Sequence, residues 1–155
     1  MKKINKITIK HIPDYDADLS WIGTFSNEAG EFAIEHKGDR NSCKYFNPQK
    51  GACEDIKQAR RDYKTIMKYD SGELYCIGIK AEAEIATSED GNTWNINRVS
   101  SAGLWGIEQG YKGDKKDNIQ VEDEQIDELH AILEALGFTQ KEIKDAEAVK
   151  EHADK

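Results

Sequence analysis

Leu74–Glu108, LYCIGIKAEAEIATSEDGNTWNINRVSSAGLWGIE, decides the fold. Tyr75, Ile77, Ile79, Ala81, Ala83 and Ile85 are apolar at alternate positions, while Lys80, Glu82 and Glu84 fall between them. That period of two is the repeat of a strand with one buried face. Asp90-Gly91 is a hairpin-turn dipeptide. A two-residue turn there sets Glu89 opposite Asn92, Thr87 beside Trp94 and Ile85 beside Ile96. The same register sets Arg98 beside Ala83 on the apolar side, which predicts a bulge or a wet sheet edge at that point.

Upstream, Lys3–Ile12 alternates as a half-buried strand stopped by Pro13. Two short apolar runs, Leu19–Phe25 and Glu31–His36, are separated by Asn27–Gly30 and read as a second hairpin or an irregular excursion. Arg40–Cys53, rich in Asn, Ser, Gly and Lys with Pro48, has the composition of a loop. From Glu54 to Tyr69 a helix is predicted: Ile56, Ala59, Tyr63, Ile66 and Met67 share one face, Glu54 and Asp55 stand in the first turn, and Asp70-Ser71-Gly72 ends the run.

Downstream, after a loop at Gly110–Asp117, Ile126, Leu129, Ile132, Leu133 and Leu136 form the strongest helical stripe, with Glu122, Asp123 and Glu124 at its start. Gly137 is the C-terminal stop, and Phe138 is placed for the apolar contact that accompanies such a cap. Thr139 and Glu142 form a capping box for a last helix whose narrow apolar edge is Ile143, Ala146 and Val149. With no internal repeat, linker or low-complexity tract, residues 1–155 read as a single α+β domain. Its expected architecture is an antiparallel sheet with two main helices packed on one face and a peripheral C-terminal helix over 139–155, fraying after Val149.

A chain of 155 residues with 37% hydrophobic content can sustain one core. Charged residues make up 34% and the formal charge is −8, which disfavours direct binding to nucleic acid or to an anionic membrane except through a local basic patch. Cys43, Cys53 and Cys76 are odd in number and form no CxxC pair, so reduced thiols are expected rather than a disulfide framework or a four-thiolate zinc site. The basic start MKKINKITIKHIPDYD is not followed by an apolar run of signal-peptide length, and the expected location is the cytoplasm.

Four constellations bear on chemistry. Asp14, Asp16 and Asp18 superficially match a calcium loop, but Leu19 stands where the tight-turn glycine belongs and Phe25 where the bidentate glutamate belongs; a solvated acidic turn is the expectation. Glu82 and Glu84 share a strand face, with Glu108 within reach if the LWGIE segment pairs nearby, and these are the candidate metal or acid/base carboxylates. Alternation alone also accounts for them as a solvent-facing surface. Lys57, Arg60, Arg61, Lys64 and Lys68 fall within roughly a 100° arc beside the apolar face of their helix, a cationic stripe suited to phosphates or an acidic protein surface. A solvated face neutralised by neighbouring carboxylates is the plainer account. Trp21, Trp94 and Trp105 are expected in the core, with Trp105, between Gly103 and Gly106, the one placed to form a pocket or an interface. There is no G-x-S-x-G context at Ser100 or Ser101, no P-loop and no dinucleotide fingerprint, and His11, His36, His130 and His152 are isolated in sequence. No cofactor is called for.

Taken in order, DLSWIGTFSN, KYFNPQ, ARRDYKTIMKYDSGELYCIGIKAEAEI, SAGLWGIE and ELHAILEALGF resemble an uncharacterised family of small proteins carried by bacteriophages and mobile elements, from Asp18 to Phe138. The resemblance implies an accessory gene product acting inside a bacterial cell among proteins that counter or modulate host systems; it supplies no functional residues. The leading expectation is therefore a non-enzymatic protein that binds and inhibits or modulates a host protein or nucleoprotein, through Lys57, Arg60, Arg61, Lys64, Lys68 and Trp105. The alternatives are a metal-dependent nucleotide or small-ligand binder or hydrolase using Glu82, Glu84 and Glu108, and a self-associating protein with Trp105 buried in a homodimer.

Overall fold

The computed structural model describes residues 1–38, 42–110, 118–146 and 148–152. In chain order the elements are β1 (Lys2–Pro13), β2 (Gly23–Ser26), β3 (Ile34–Glu35), β4 (Tyr45–Pro48), α1 (Ile56–Ser71), β5 (Leu74–Thr87), β6 (Asn95–Ser100), β7 (Leu104–Gly110), α2 (Ile119–Ala135), α3 (Gln140–Asp145) and β8 (Ala148–His152). The chain is an α+β fold. Its elements form two compact units, one built on β1, β5 to β8, α2 and α3, the other on β2 to β4 and α1.

In the first unit the alternation of β5 is realised: Ile77, Ile79, Ala81, Ala83 and Ile85 are buried, whereas Lys80, Glu82 and Glu84 between them are only half-buried. The sheet runs β6-β5-β1-β8, with β7 also paired to β5. β1 lies antiparallel to β5, setting Ile7 against Ala83 and Ile9 against Ala81, with a bulge between Ile4 and Lys6. The small side chains of Ala81 and Ala83 let α2 settle on this face, and Ile7, Ile85, Leu129, Leu133, Phe138 and Ile143 complete the core.

β6 meets β5 one residue away from the register that a two-residue turn dictates: Thr87 faces Asn95, Ala86 faces Ile96 and Glu84 faces Arg98. The cause is the longer connection at Ser88–Trp94. There Asp90 Oδ1 accepts the N–H groups of Asn92 and Thr93 at 2.9 Å each, and the N–H of Gly91 donates to Ser88 Oγ at 2.8 Å. These bonds hold the exposed Asp90 carboxyl below the usual range, the N–H of Thr93 contributing most. Because a one-residue slip exchanges faces, Arg98 leaves the apolar side and meets a carboxylate.

α2 buries Leu129 and Leu133 as the stripe predicts, but Leu136 is exposed and Glu122 and Gln125 are buried in its place. Its end is a Schellman motif. Gly137, at φ 87°, donates to Glu134 O at 2.8 Å and Phe138 donates to Leu133 O at 3.1 Å, while the Phe138 ring is buried. The capping box follows: the N–H of Glu142 donates to Thr139 Oγ1 at 3.2 Å and that of Thr139 to Glu142 Oε2 at 2.7 Å. The helix over 139–155 is corrected, however. α3 lasts only six residues, and Ala148–His152 instead runs parallel to β1, Ile7 against Ala148 through His11 against His152. A short helix with a narrow apolar edge gains little by extending, whereas β1 offers a full row of backbone donors and acceptors. Residues 153–155 lie outside the described residues.

In the second unit the segment expected to be a loop supplies the central strand. β4 pairs with β2 on one side, Phe25 against Phe46, and with β3 on the other, Ile34 against Phe46. The two apolar runs therefore pair with β4 and not with each other. Phe46 is fully buried, and Asn47, a loop residue by composition, ties down the turn by accepting from Gly30 N at 2.8 Å and donating to Glu28 O at 2.9 Å. α1 packs on β3 and β4. Asp55 is its N-cap, accepting from Gln58 N at 2.8 Å, so Glu54 and Asp55 precede the first turn instead of lying in it. Ala59 and Ile66 are buried, Tyr63 and Met67 half-buried, and Ile56 is exposed.

Candidate functional site

The strand carboxylates occupy the face of the first sheet that α2 does not cover. Lys10 Nζ donates to Glu82 Oε1 at 2.8 Å, Lys80 Nζ stands 3.7 Å from Oε2, and Arg98 Nε is 3.9 Å from Oε1. Lys10 and Lys80 are direct cross-strand partners, a like-charged pair that Glu82 neutralises. Glu84 accepts from Asn5 Nδ2 at 3.1 Å and lies 3.7 Å from Arg98. The Glu82 carboxyl is held below its ordinary range, chiefly by the Lys10 hydrogen bond and then by the charges of Lys10, Lys80 and Arg98, against partial desolvation. A carboxylate committed to three cations is poorly disposed either to accept a proton at neutral pH or to ligate a metal. β7 does pair with β5, and Glu108 on it is half-buried. Among the described residues no group of three or more His, Cys, Asp or Glu side chains could hold a metal ion. In the aspartate run, Asp14 Oδ2 accepts the N–H of Gly106 and Asp18 Oδ1 that of Ser20, each at 2.8 Å.

Two histidine contacts are invisible in the sequence. His11 Nε2 and Glu122 Oε1 lie 3.4 Å apart within the first unit, both well buried. The available signal was Glu122 itself, seven residues before Leu129 and four before Ile126, and so on the apolar face of α2. In the second unit, His36 Nδ1 and the Tyr63 hydroxyl are 2.8 Å apart, and the imidazole packs edge-on to Phe25 at 4.8 Å between centroids.

The aromatic expectation is corrected for two of the three tryptophans. Trp21 is 58% exposed and Trp105 47%, while Trp94 is half-buried beneath Lys3, whose Nζ is 4.5 Å from its ring centroid. Trp105 lies across Gly78, where a Cβ would overlap its ring. The chain reaches it through an irregular step. Ser101 donates its N–H to Ala81 O at 2.9 Å and accepts Ala81 N at Oγ, a side-chain oxygen standing in for a ladder carbonyl. The next two N–H groups, of Ala102 and Gly103, donate to Glu128 Oε1 and Gln125 Oε1 of α2, each at 3.0 Å. α2 thus fixes the bend that lays Trp105 on the sheet. The loop expected at Gly110–Asp117 lies, from residue 111 on, outside the described residues.

The cationic stripe behaves in the opposite way to the strand charges. Lys57, Arg60, Arg61, Lys64 and Lys68 are all exposed on α1. None of the five has a carboxylate within 4 Å among the described residues. Asp62 beside them is partly desolvated and its carboxyl is raised above the ordinary range, an effect that the Arg61 charge only partly offsets. Like charges recur four residues apart at Lys57 and Arg61, Arg60 and Lys64, and Lys64 and Lys68, a spacing that disfavours the helix by a few tenths of a kcal/mol per pair, roughly 0.2–0.5.

No helix among the described residues is long and apolar enough to cross a membrane. No family model, curated protein or solved structure matches the chain.

Proposed function

We propose that this chain is a non-enzymatic binding protein that docks through the exposed face of α1 on an acidic surface of a host protein or nucleoprotein, and blocks or redirects it. The observation that carries the reading is the stripe itself: five exposed cations with no carboxylate within 4 Å among the described residues, in a chain of formal charge −8. On the first sheet, by contrast, Lys10 and Lys80 are neutralised at short range by Glu82. A row of repelling charges kept free of partners costs helix stability, and an acidic ligand relieves that cost. The phage and mobile-element resemblance of the Asp18–Phe138 segments supports the bacterial cytoplasm as the setting and a host system as the target.

The test is capture from bacterial lysate by the immobilised wild type and by a Lys57→Glu, Arg61→Glu, Lys64→Glu, Lys68→Glu variant. A host protein retained by the wild type and lost by the variant supports the reading; identical capture profiles contradict it. The exposed Trp105, seated on Gly78 by a bend that α2 holds, favours a second contact surface on the first unit. Trp105→Ala reducing capture without changing the unfolding temperature is the result that supports it. A metal-dependent hydrolase has less behind it, because the oxygens of Glu82 already face three cations; a thermal-shift screen with magnesium, manganese and nucleotides tests it, a shift in unfolding temperature being the supporting result.

A further inference from the structure

α2 carries the complement of the α1 stripe. Between Asn118 and Gln140 the sequence holds no lysine or arginine, yet it contains Glu122, Asp123, Glu124, Asp127, Glu128 and Glu134. Glu122 is buried and Glu128 is spent on Ala102 N, but Asp123, Asp127 and Glu134 are exposed. None of those three has a cation within 4 Å among the described residues. At 100° per residue Asp123, Asp127 and Glu134 fall within an arc of roughly 40°, a row along one side of the helix.

The spacing of the two rows matches. From Lys57 to Lys64 to Lys68 the steps are seven and four residues; from Glu134 to Asp127 to Asp123 they are again seven and four, in the reverse direction. An antiparallel pair of helices that sets Lys57 against Glu134 therefore sets Lys64 against Asp127 and Lys68 against Asp123, at intervals of about 10 Å and about 6 Å along the axis. Arg60 falls between the first two levels, within reach of either carboxylate. The antiparallel sense also brings each helix N-terminus to the other's C-terminus, the favourable order of the two dipoles. Docking relieves the like-charge i,i+4 pairs of α1 and, on α2, the pair Asp123 and Asp127.

Resting on the reading of α1 as a docking face, we infer that a partner for this face is α2 of a second copy of this chain, the two helices lying antiparallel with Lys57, Lys64 and Lys68 against Glu134, Asp127 and Asp123. Self-association then competes with an acidic host partner for the same lysines.

Sedimentation of the full chain tests this. The wild type associates at low ionic strength and at least tenfold more weakly when salt rises from about 0.05 M to about 0.5 M. A chain with Lys57→Glu, Lys64→Glu and Lys68→Glu is monomeric, and so is one with Asp123→Lys, Asp127→Lys and Glu134→Lys, each with the circular dichroism and unfolding temperature of the wild type. Mixed together, these two chains associate, because each reversed helix now complements the other chain. If a reversed chain fails to fold, Asp127→Asn and Lys64→Gln serve instead, each weakening association several-fold. A wild type that stays monomeric up to about 0.5 mM at low salt, or a mixture that does not associate, overturns the inference. Binding to immobilised polyglutamate separates the two readings. A monomeric wild type whose α2-reversed form still binds polyglutamate sinks self-association alone, whereas an associating wild type with no affinity for polyglutamate in either form sinks the broader reading.

Discussion

On the first sheet, Lys10, Lys80 and Arg98 converge on one carboxylate at 2.8, 3.7 and 3.9 Å. On α1, five cations are spread along one exposed side with no carboxylate within 4 Å among the described residues. The two regions use the same side chains under different geometry. A strand places its cross-strand partners about 5 Å apart, so the register that sets Lys10 against Lys80 creates a repulsion the fold must cancel locally, and Glu82 cancels it. A helix surface sends its long side chains into water, where a charge needs no partner to be stable. Charges locked by their neighbours hold the fold; charges left open are available to something else.

The contrast can be broken most severely at Glu82. Glu82→Ala leaves Lys10 and Lys80 facing each other on a half-buried surface, and should cost about 2–3 kcal/mol in urea unfolding, with the denaturant slope unchanged. A loss under about 0.5 kcal/mol would place the sheet charges in the same class as those of α1.

Next in size, the fourfold Glu variant of α1 should lose at least tenfold in binding to an acidic surface while unfolding at the wild-type temperature, as measured by interferometry alongside thermal melts. Acid sharpens the comparison by its sign. Glu82 is depressed in the folded state, so the stability it contributes is present above the unfolded glutamate value of about 4.3 and is lost as pH falls through its lower folded value. Asp62 is raised, so its folded form gains relative stability as pH falls through that raised value toward the unfolded one. Glu82→Gln is therefore destabilising at pH 7 and nearly neutral once pH falls below the folded Glu82 value, whereas Asp62→Asn is neutral to slightly stabilising at pH 7; urea midpoints across the acid range read both.

Smaller still, Thr139→Ala should cost about 1 kcal/mol by removing the hydroxyl that accepts the Glu142 N–H, the backbone half of the capping box being retained. Smallest is Lys64→Ala on the open face of α1, expected within about 0.5 kcal/mol of wild type by the same unfolding assay.

How much of this was legible in the chain follows from which interactions are periodic. The alternation of Tyr75–Ile85, the α1 and α2 stripes, the Gly137 stop and the Thr139–Glu142 box are local patterns, and the fold realises them, apart from exposed Leu136 and Ile56. What failed depended on partners distant in sequence. The β6 register turned on how the Asp90 side chain closes its loop, and β4 hid in Asn and Pro chemistry because a four-residue strand has too few positions to show a period. β8 exists because β1 offers an edge, which no property of Ala148–His152 announces. Of the candidate site, the cationic arc of α1 could be drawn from helical spacing alone. That its charges stay open while those around Glu82 are closed could not, since closure is set by the pairing of β5 with β1 and β6.

The central claim is that α1 presents a contact surface whose charges are dispensable for folding. It is tested most directly by measuring, on one pair of samples, binding to immobilised polyglutamate and thermal unfolding for the wild type and for the Lys57→Glu, Arg61→Glu, Lys64→Glu, Lys68→Glu chain. The account predicts equal unfolding temperatures, with salt-sensitive binding by the wild type alone. A variant that melts several degrees lower, or that binds as well as the wild type, contradicts it.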